Sequence, residues 1–108
     1  MSTKIFVDAG HGGPDPGAMA NGVIEQYVNL NVANELARLL RQGGYEVMQY
    51  RTTPTENVLP GKNDDLRNRA AMANNWGADY FISTIMIPML IIGHFSVHYT
   101  NITKEKGC

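Results

Sequence analysis

Residues 4 to 18 read Lys4-Ile5-Phe6-Val7-Asp8-Ala9-Gly10-His11-Gly12-Gly13-Pro14-Asp15-Pro16-Gly17-Ala18, and Glu25 follows seven residues later. Ile5-Phe6-Val7 is apolar and β-favouring, so Lys4 to Asp8 predicts a short buried strand. Strands of open α/β sheets present their functional groups at their carboxyl ends, and His11 stands just past this one. The glycines let the backbone approach a ligand closely, while Pro14 and Pro16 keep a helix from starting at once. Glu25 opens a strongly periodic segment, so its carboxylate is expected in a first helical turn, projecting toward the strand end. Neutral imidazole plus carboxylate suits Zn²⁺, and a catalytic zinc takes a third protein ligand and an open position besides. His11 and Glu25 are thus the candidate metal ligands.

Outward from that stretch, strands and helices alternate. The pattern predicts a strand over 4–8, a loop over 9–23, a helix over 25–42, a strand over 45–50, a loop over 51–63, a helix over 64–76, and strands over 79–84 and 94–100. In the first helix Val28, Val32, Leu36 and Leu39 share a face at helical spacing, and Gly43-Gly44 ends it. In the second, Asn63 or Asp64 is placed to cap the first turn, and Gly77 closes it. Helices between strands imply crossovers, hence an α/β fold: a mostly parallel or mixed sheet flanked by helices. Residues 101–108 are polar, lack apolar periodicity and are expected to fray.

Composition limits the choice of partners. The chain has 108 residues, 44% hydrophobic, with net charge −1. That suffices for one core and one domain over 1–108. Charges of both signs are spread along it, so neither nucleic acid nor a membrane surface is favoured as a partner, and a monomer is expected. The apolar run from Ile82 to Ile92 is too short to span a bilayer and is interrupted by Ser83, Thr84 and Pro88. Cys108 is the lone cysteine, which excludes an internal disulfide and a C-x-x-C clip. No apolar region of secretory length precedes Ile5, so synthesis without a signal peptide is expected.

The ordered motifs from residue 4 to 83 resemble the zinc-dependent N-acetylmuramoyl-L-alanine amidases of the cell-wall hydrolase type. The likeness rests on Ile5 through Gly13, Asp15-Pro16-Gly17-Ala18, Gly22 with Glu25, and the helix beginning at Asn29-Leu30. It continues through Gly44-Tyr45-Glu46-Val47, Arg51-Thr52, Leu66, Arg69, Ala70, Ala73, Asn74 and Ala78-Asp79-Tyr80-Phe81-Ile82-Ser83. The resemblance implies His11 and Glu25 as zinc ligands and peptidoglycan as substrate. The implied reaction is hydrolysis of the amide between the lactyl group of N-acetylmuramic acid and the L-alanine of the stem peptide. Without a leader, action at the wall would follow a phage-endolysin route or belong to an excised domain.

The likeness then breaks. The family continues after Phe-Ile-Ser with one more residue and a histidine, its third zinc ligand. Here the chain reads Thr84-Ile85-Met86-Ile87-Pro88-Met89-Leu90-Ile91-Ile92, with no histidine or carboxylate, before the match resumes at Gly93-His94-Phe95-Ser96-Val97-His98-Tyr99. Residues 85–92 are therefore anomalous. With suitable codons, a one-base shift turns this segment into His-Tyr-Asp-Thr-Asn-Ala-Asn-Asn-Trp. We hypothesise a compensated pair of frameshifts, which a reread of the gene returning other codons would remove. The family's catalytic glutamate, near its final strand, also has no counterpart before Cys108. The expectation is a C-terminally truncated domain with weak metal binding; His94 and His98, four apart on one face of a strand, are read as surface residues, and tight zinc binding would make them the first candidates for the missing ligand.

Two other classes of function compete. One is an inactive or glycan-binding remnant of the fold. The other is a phosphate or nucleotide module, since strand, glycine-rich loop and helix also describe a phosphate cradle. The chain has no Gly-Lys-Ser/Thr, and its glycine spacing misses G-x-G-x-x-G. Read individually, His11 is a polar loop residue, Glu25 a first-turn carboxylate favoured by the helix dipole, Arg51 and Arg69 partners in ion pairs or hydrogen bonds, and Trp76 and Tyr80 packing residues.

Overall fold

A computed structural model describes residues 2–88 and 93–101, with 87–88 and 93–101 in backbone alone. Its elements are β1 (Lys4–Ala9), β2 (Met19–Ala20), β3 (Val23–Ile24), α1 (Glu25–Gln42), β4 (Glu46–Gln49), α2 (Lys62–Trp76), β5 (Tyr80–Pro88) and β6 (Gly93–Asn101). The main sheet runs β4-β1-β5-β6. β1 lies parallel to both neighbours, Phe6 pairing with Met48 on one side and Phe81 on the other. β6 is antiparallel to β5, with Ser83 opposite His98 and Ile87 opposite His94. The sheet is therefore mixed, with a parallel centre.

The period of two along β1 divides the core between two faces. Ile5, Val7 and Ala9 pack with Ala33, Leu36 and Leu40 of α1. Phe6 points the other way, into Tyr50, Ala73 and Ala78 on the α2 side, and stacks on Phe81 with ring centroids 5.4 Å apart. Phe6 is fully buried; truncating such a side chain to alanine costs about 3–5 kcal/mol. At the outer edge, Arg41 donates to the Val47 carbonyl (3.2 Å) and to the Gln49 side chain (3.2 Å).

Several details differ from the pattern-based expectation, each for a local reason. The buried stripe of α1 comprises Glu25, Gln26, Asn29, Leu30, Ala33 and Ala37; Leu39 is exposed. Polar residues turn inward there because the loop after β1 offers carbonyls and amides to bond. α2 begins at Lys62 with Gly61 as an N-cap that makes no side-chain bond. Neither Asn63 nor Asp64 caps it: Asp65 N donates to the Gly61 carbonyl, and the Asp65 carboxylate is used elsewhere. The loop before α1 contains an unexpected hairpin, Met19 pairing with Ile24 and Ala20 with Val23. Its turn residues Asn21 (φ 53°) and Gly22 (φ 76°) are the Asn-Gly pair that two-residue hairpins prefer. β5, expected to end at residue 84, runs on through Ile85 to Pro88, so this part of the anomalous segment extends the strand. Residues 89–92, and 102–108 of the expected frayed end, lie outside the described residues.

Candidate metal centre

The sheet places the site by ending β1 early. Gly10 N still donates to the Thr84 carbonyl at 3.1 Å, and then the chain leaves the sheet. His11 adopts φ 61°, left-handed backbone that costs an ordinary residue about 1–2 kcal/mol. Hydrogen bonds hold it there: Arg69 Nη2 donates to the His11 carbonyl at 2.7 Å, and Gly12 and Asp15 exchange backbone bonds across the turn.

The imidazole lies between two carboxylates. Its Nδ1 is 2.8 Å from Asp15 Oδ2, and its Nε2 is 3.2 Å from Glu25 Oε1. An ionised carboxylate only accepts, so the bond to Asp15 assigns the proton of a neutral ring to Nδ1 and leaves a lone pair on Nε2. Burial works against ionisation of Asp15, but its bonds with His11 and the Gly17 amide, with the charge of Lys62, outweigh that. They hold it below the ordinary carboxylate range.

Glu25 is fixed as firmly. It is 3% exposed, in the first turn of α1, where the helix dipole favours a carboxylate. Oε1 accepts from Ala18 N at 2.9 Å; Oε2 accepts from Met86 N at 3.1 Å and from Asn29 Nδ2 at 3.2 Å. The last β1–β5 pair is Ala9 with Thr84, so this carboxylate takes up the edge of β5 that β1 vacates. Gly17 closes one side of the pair. At φ 72°, a Cβ there would stand 2.6 Å from Glu25 Oε1 and 2.7 Å from His11 Cδ2, so the site demands glycine.

A buried ionic network lies beneath. Arg69 bonds Asp8 Oδ1 at 2.7 Å, Asp65 Oδ2 at 2.7 Å and the Ala9 carbonyl at 2.7 Å, and lies over the Tyr50 ring. Burial opposes its charge, yet Asp8 and Asp65 outweigh this and raise its pKa. Tyr50 donates to Asp65 Oδ1 at 2.7 Å; burial, seconded by that bond, pushes its phenol up to about 12. Ser83 donates to Asp8 Oδ2 at 2.7 Å. Above this network opens a cleft of about 250 Å³ whose lining includes His11, Asp15, Asp65, Arg69, Ser83 and Ile85.

The structure thus brings His11 and Glu25 together. Nε2 and Oε1 are separated by 3.2 Å, and two ligands of a tetrahedral zinc stand about 3.4 Å apart. The donor pair therefore fits zinc. No group of three or more His, Cys, Asp or Glu suited to a metal occurs among the described residues. Ile85, the position where the resemblance expects the third ligand, lines the same cleft as His11. The suggestion that His94 or His98 substitutes concerns side chains outside the described atoms. Sequence reasoning gave no role to Asp15, Asn29 or Ser83. Asp15 had a signal, its place four residues after His11 in a turn-forming segment.

With this fold and donor pair, the chain belongs to the N-acetylmuramoyl-L-alanine amidase family, whose model matches residues 5–84. It is similar to the sporulation-specific N-acetylmuramoyl-L-alanine amidase of Bacillus subtilis (strain 168), with 42% identity over 80 residues, covering 74% of this chain and 29% of the relative. It is also similar to the endolysin of Bacillus phage SPP1, 36% identical over 83 residues, covering 77% of this chain and 28% of that protein. Among solved structures, the CwlD amidase of Clostridioides difficile, in complex with the GerS lipoprotein, superposes with TM-score 0.74 at 28% identity. That match covers 82% of this chain and 50% of the other. The chain thus spans about three tenths of these curated relatives and half of the matched structure. No helix among the described residues is long and apolar enough to cross a membrane.

Proposed function

We propose that this chain carries part of a zinc-dependent peptidoglycan hydrolase site of the N-acetylmuramoyl-L-alanine amidase type, with His11 and Glu25 as two of the metal ligands. The substrate is the amide between the muramic acid lactyl group and the L-alanine of the stem peptide. The observation that carries this reading is the 3.2 Å approach of His11 Nε2 to Glu25 Oε1, close to the spacing of two ligands on one tetrahedral zinc. Bound there, zinc supplies Lewis-acid polarisation of a carbonyl and a lowered pKa for water.

The chain's own residues orient the donors. Asp15 holds the His11 tautomer, the Ala18 and Met86 amides and the Asn29 side chain fix both Glu25 oxygens, and Gly17 excludes bulk beside them. The cleft beside His11 is the place for the muramoyl peptide. A phosphate module is disfavoured, because the first turn of α1 already holds the buried carboxylate of Glu25, which would repel the anion.

A second reading rests on Ile85. An apolar side chain in the cleft, where a third donor is expected, favours a domain that keeps the family fold without turnover. Zinc stoichiometry of the chain, with His11→Ala as control, and release of L-alanyl peptides from muramoyl-peptide test both readings. One zinc lost in the control, with turnover, supports the hydrolase. Zinc without turnover supports the second reading, and no zinc in either chain sinks the metal site.

A further inference from the structure

Arg51 is fully buried, and among the described residues its side chain bonds carbonyls and no carboxylate. Nε donates to the Ala9 carbonyl at 3.1 Å, Nη2 to the carbonyls of Gly10 and Gln26, both at 2.8 Å, and Nη1 to that of Thr53 at 3.4 Å. Burying a guanidinium without a paired anion is costly. Burial, seconded by the charge of Arg69, brings its pKa down to about 10. A side chain kept at such a cost, with the planar fork of arginine, is suited to fixing several carbonyls at once. Gly10 immediately precedes His11 and Gln26 immediately follows Glu25. One nitrogen therefore ties together the two backbone segments that carry the donors.

We infer that Arg51 is a positioning residue that sets the separation of His11 and Glu25 by clamping the Gly10 and Gln26 carbonyls to one guanidinium. The inference rests on reading His11 and Glu25 as a donor pair. Asn29 reinforces it, since its Nδ2 donates both to the Gly10 carbonyl at 3.0 Å and to Glu25 Oε2 at 3.2 Å. The close fit leaves no slack: a Cβ on Gly12 would stand 2.7 Å from Arg51 Nε. Lysine keeps the charge but presents a point donor in place of the fork, so it cannot span both carbonyls in the same geometry.

The test uses the metal-free chain first. The ¹⁵N shifts of the His11 ring report its tautomer and hydrogen bonding, and amide spectra report whether the sheet is intact. In Arg51→Lys and Arg51→Gln the sheet is expected to persist, while the His11 ring shifts move as the contact of Nε2 with Glu25 changes. Zinc affinity is then expected to fall about 10–100-fold, the usual effect of losing an outer support. Folded variants with unchanged ring shifts and zinc affinity within twofold of the parent would overturn the inference. So would complete unfolding of both, because Arg51 would then hold the whole domain and not one distance. Should the parent bind no zinc while the variants still disturb the His11 ring, the metal reading fails and the clamp stands.

Discussion

Asp15 Oδ2 lies 2.8 Å from His11 Nδ1, and this contact turns the lone pair of the opposite ring nitrogen toward Glu25. The carboxylate is anchored in its turn by the Gly17 amide at 3.1 Å on its other oxygen. The imidazole is aimed by its neighbour four residues on, while the neighbour is aimed by the backbone. Carboxylate support of this kind orients ligating histidines and raises their basicity.

Asp15→Asn should therefore weaken zinc binding by about 10–100-fold with little change in fold, because the amide no longer dictates which ring nitrogen is protonated. Competition against a chromophoric chelator measures it. An unchanged affinity would mean that His11 is aimed by its backbone alone.

Ile85→His should raise zinc affinity at least ~10-fold, since the side chain at 85 already opens into the cleft that His11 lines and the next residue's amide bonds Glu25. Three protein ligands are what a catalytic zinc takes. Calorimetry on the single variant, and on His11→Ala/Ile85→His, checks that the gain depends on His11.

The backbone at His11, φ 61°, separates conformational from chemical effects. Asparagine tolerates left-handed backbone better than alanine, so His11→Asn should be more stable than His11→Ala by about 1 kcal/mol. Urea midpoints decide it. Both variants should lose zinc equally, which divides strain from ligation.

Asp15 and Asp65 predict an acid limb of stability. Burial raises the pKa of each, but for Asp65 the bonds from Tyr50, Leu59 N and Arg69 outweigh it, and both are held below the ordinary aspartate value. The unfolded chain then takes up protons first, near pH ~3.9. The stabilisation is complete above that pH and is lost as pH falls through the lower folded values. Urea midpoints measured from pH 6 to 3 should decline at the acid end, and Asp65→Asn should be less stable at pH 6 with a shallower decline. An equal slope in the variant would remove Asp65 from the account.

Much of this arrangement was legible in the residues. Ile5-Phe6-Val7 marks a strand by type, and Glu25 through Gln42 marks a helix by period, because both signals are local. The donors could be named from the glycine-rich loop and the resemblance. Arg51 and Arg69 are another matter. Arg51 reaches the carbonyl of Ala9, 42 positions away, and Arg69 reaches Asp8, 61 positions away. No local pattern records such a bond. The inward turn of Asn29 was hidden for the same reason, since helical periodicity finds apolar stripes and this stripe begins with polar residues bonded to a loop. No motif announces the extension of β5 past Thr84: Ile85 to Pro88 departs from the family pattern yet stays in regular strand.

The guanidinium of Arg41 on the Val47 carbonyl has a consequence for how these molecules meet one another. β4 is only four residues long, and at the margin that no described strand covers one carbonyl is already engaged by a charged side chain. Short length and charge are the means by which sheet proteins discourage a foreign strand from adding to an open margin. This side of the sheet is a poor template for self-association into extended ribbons.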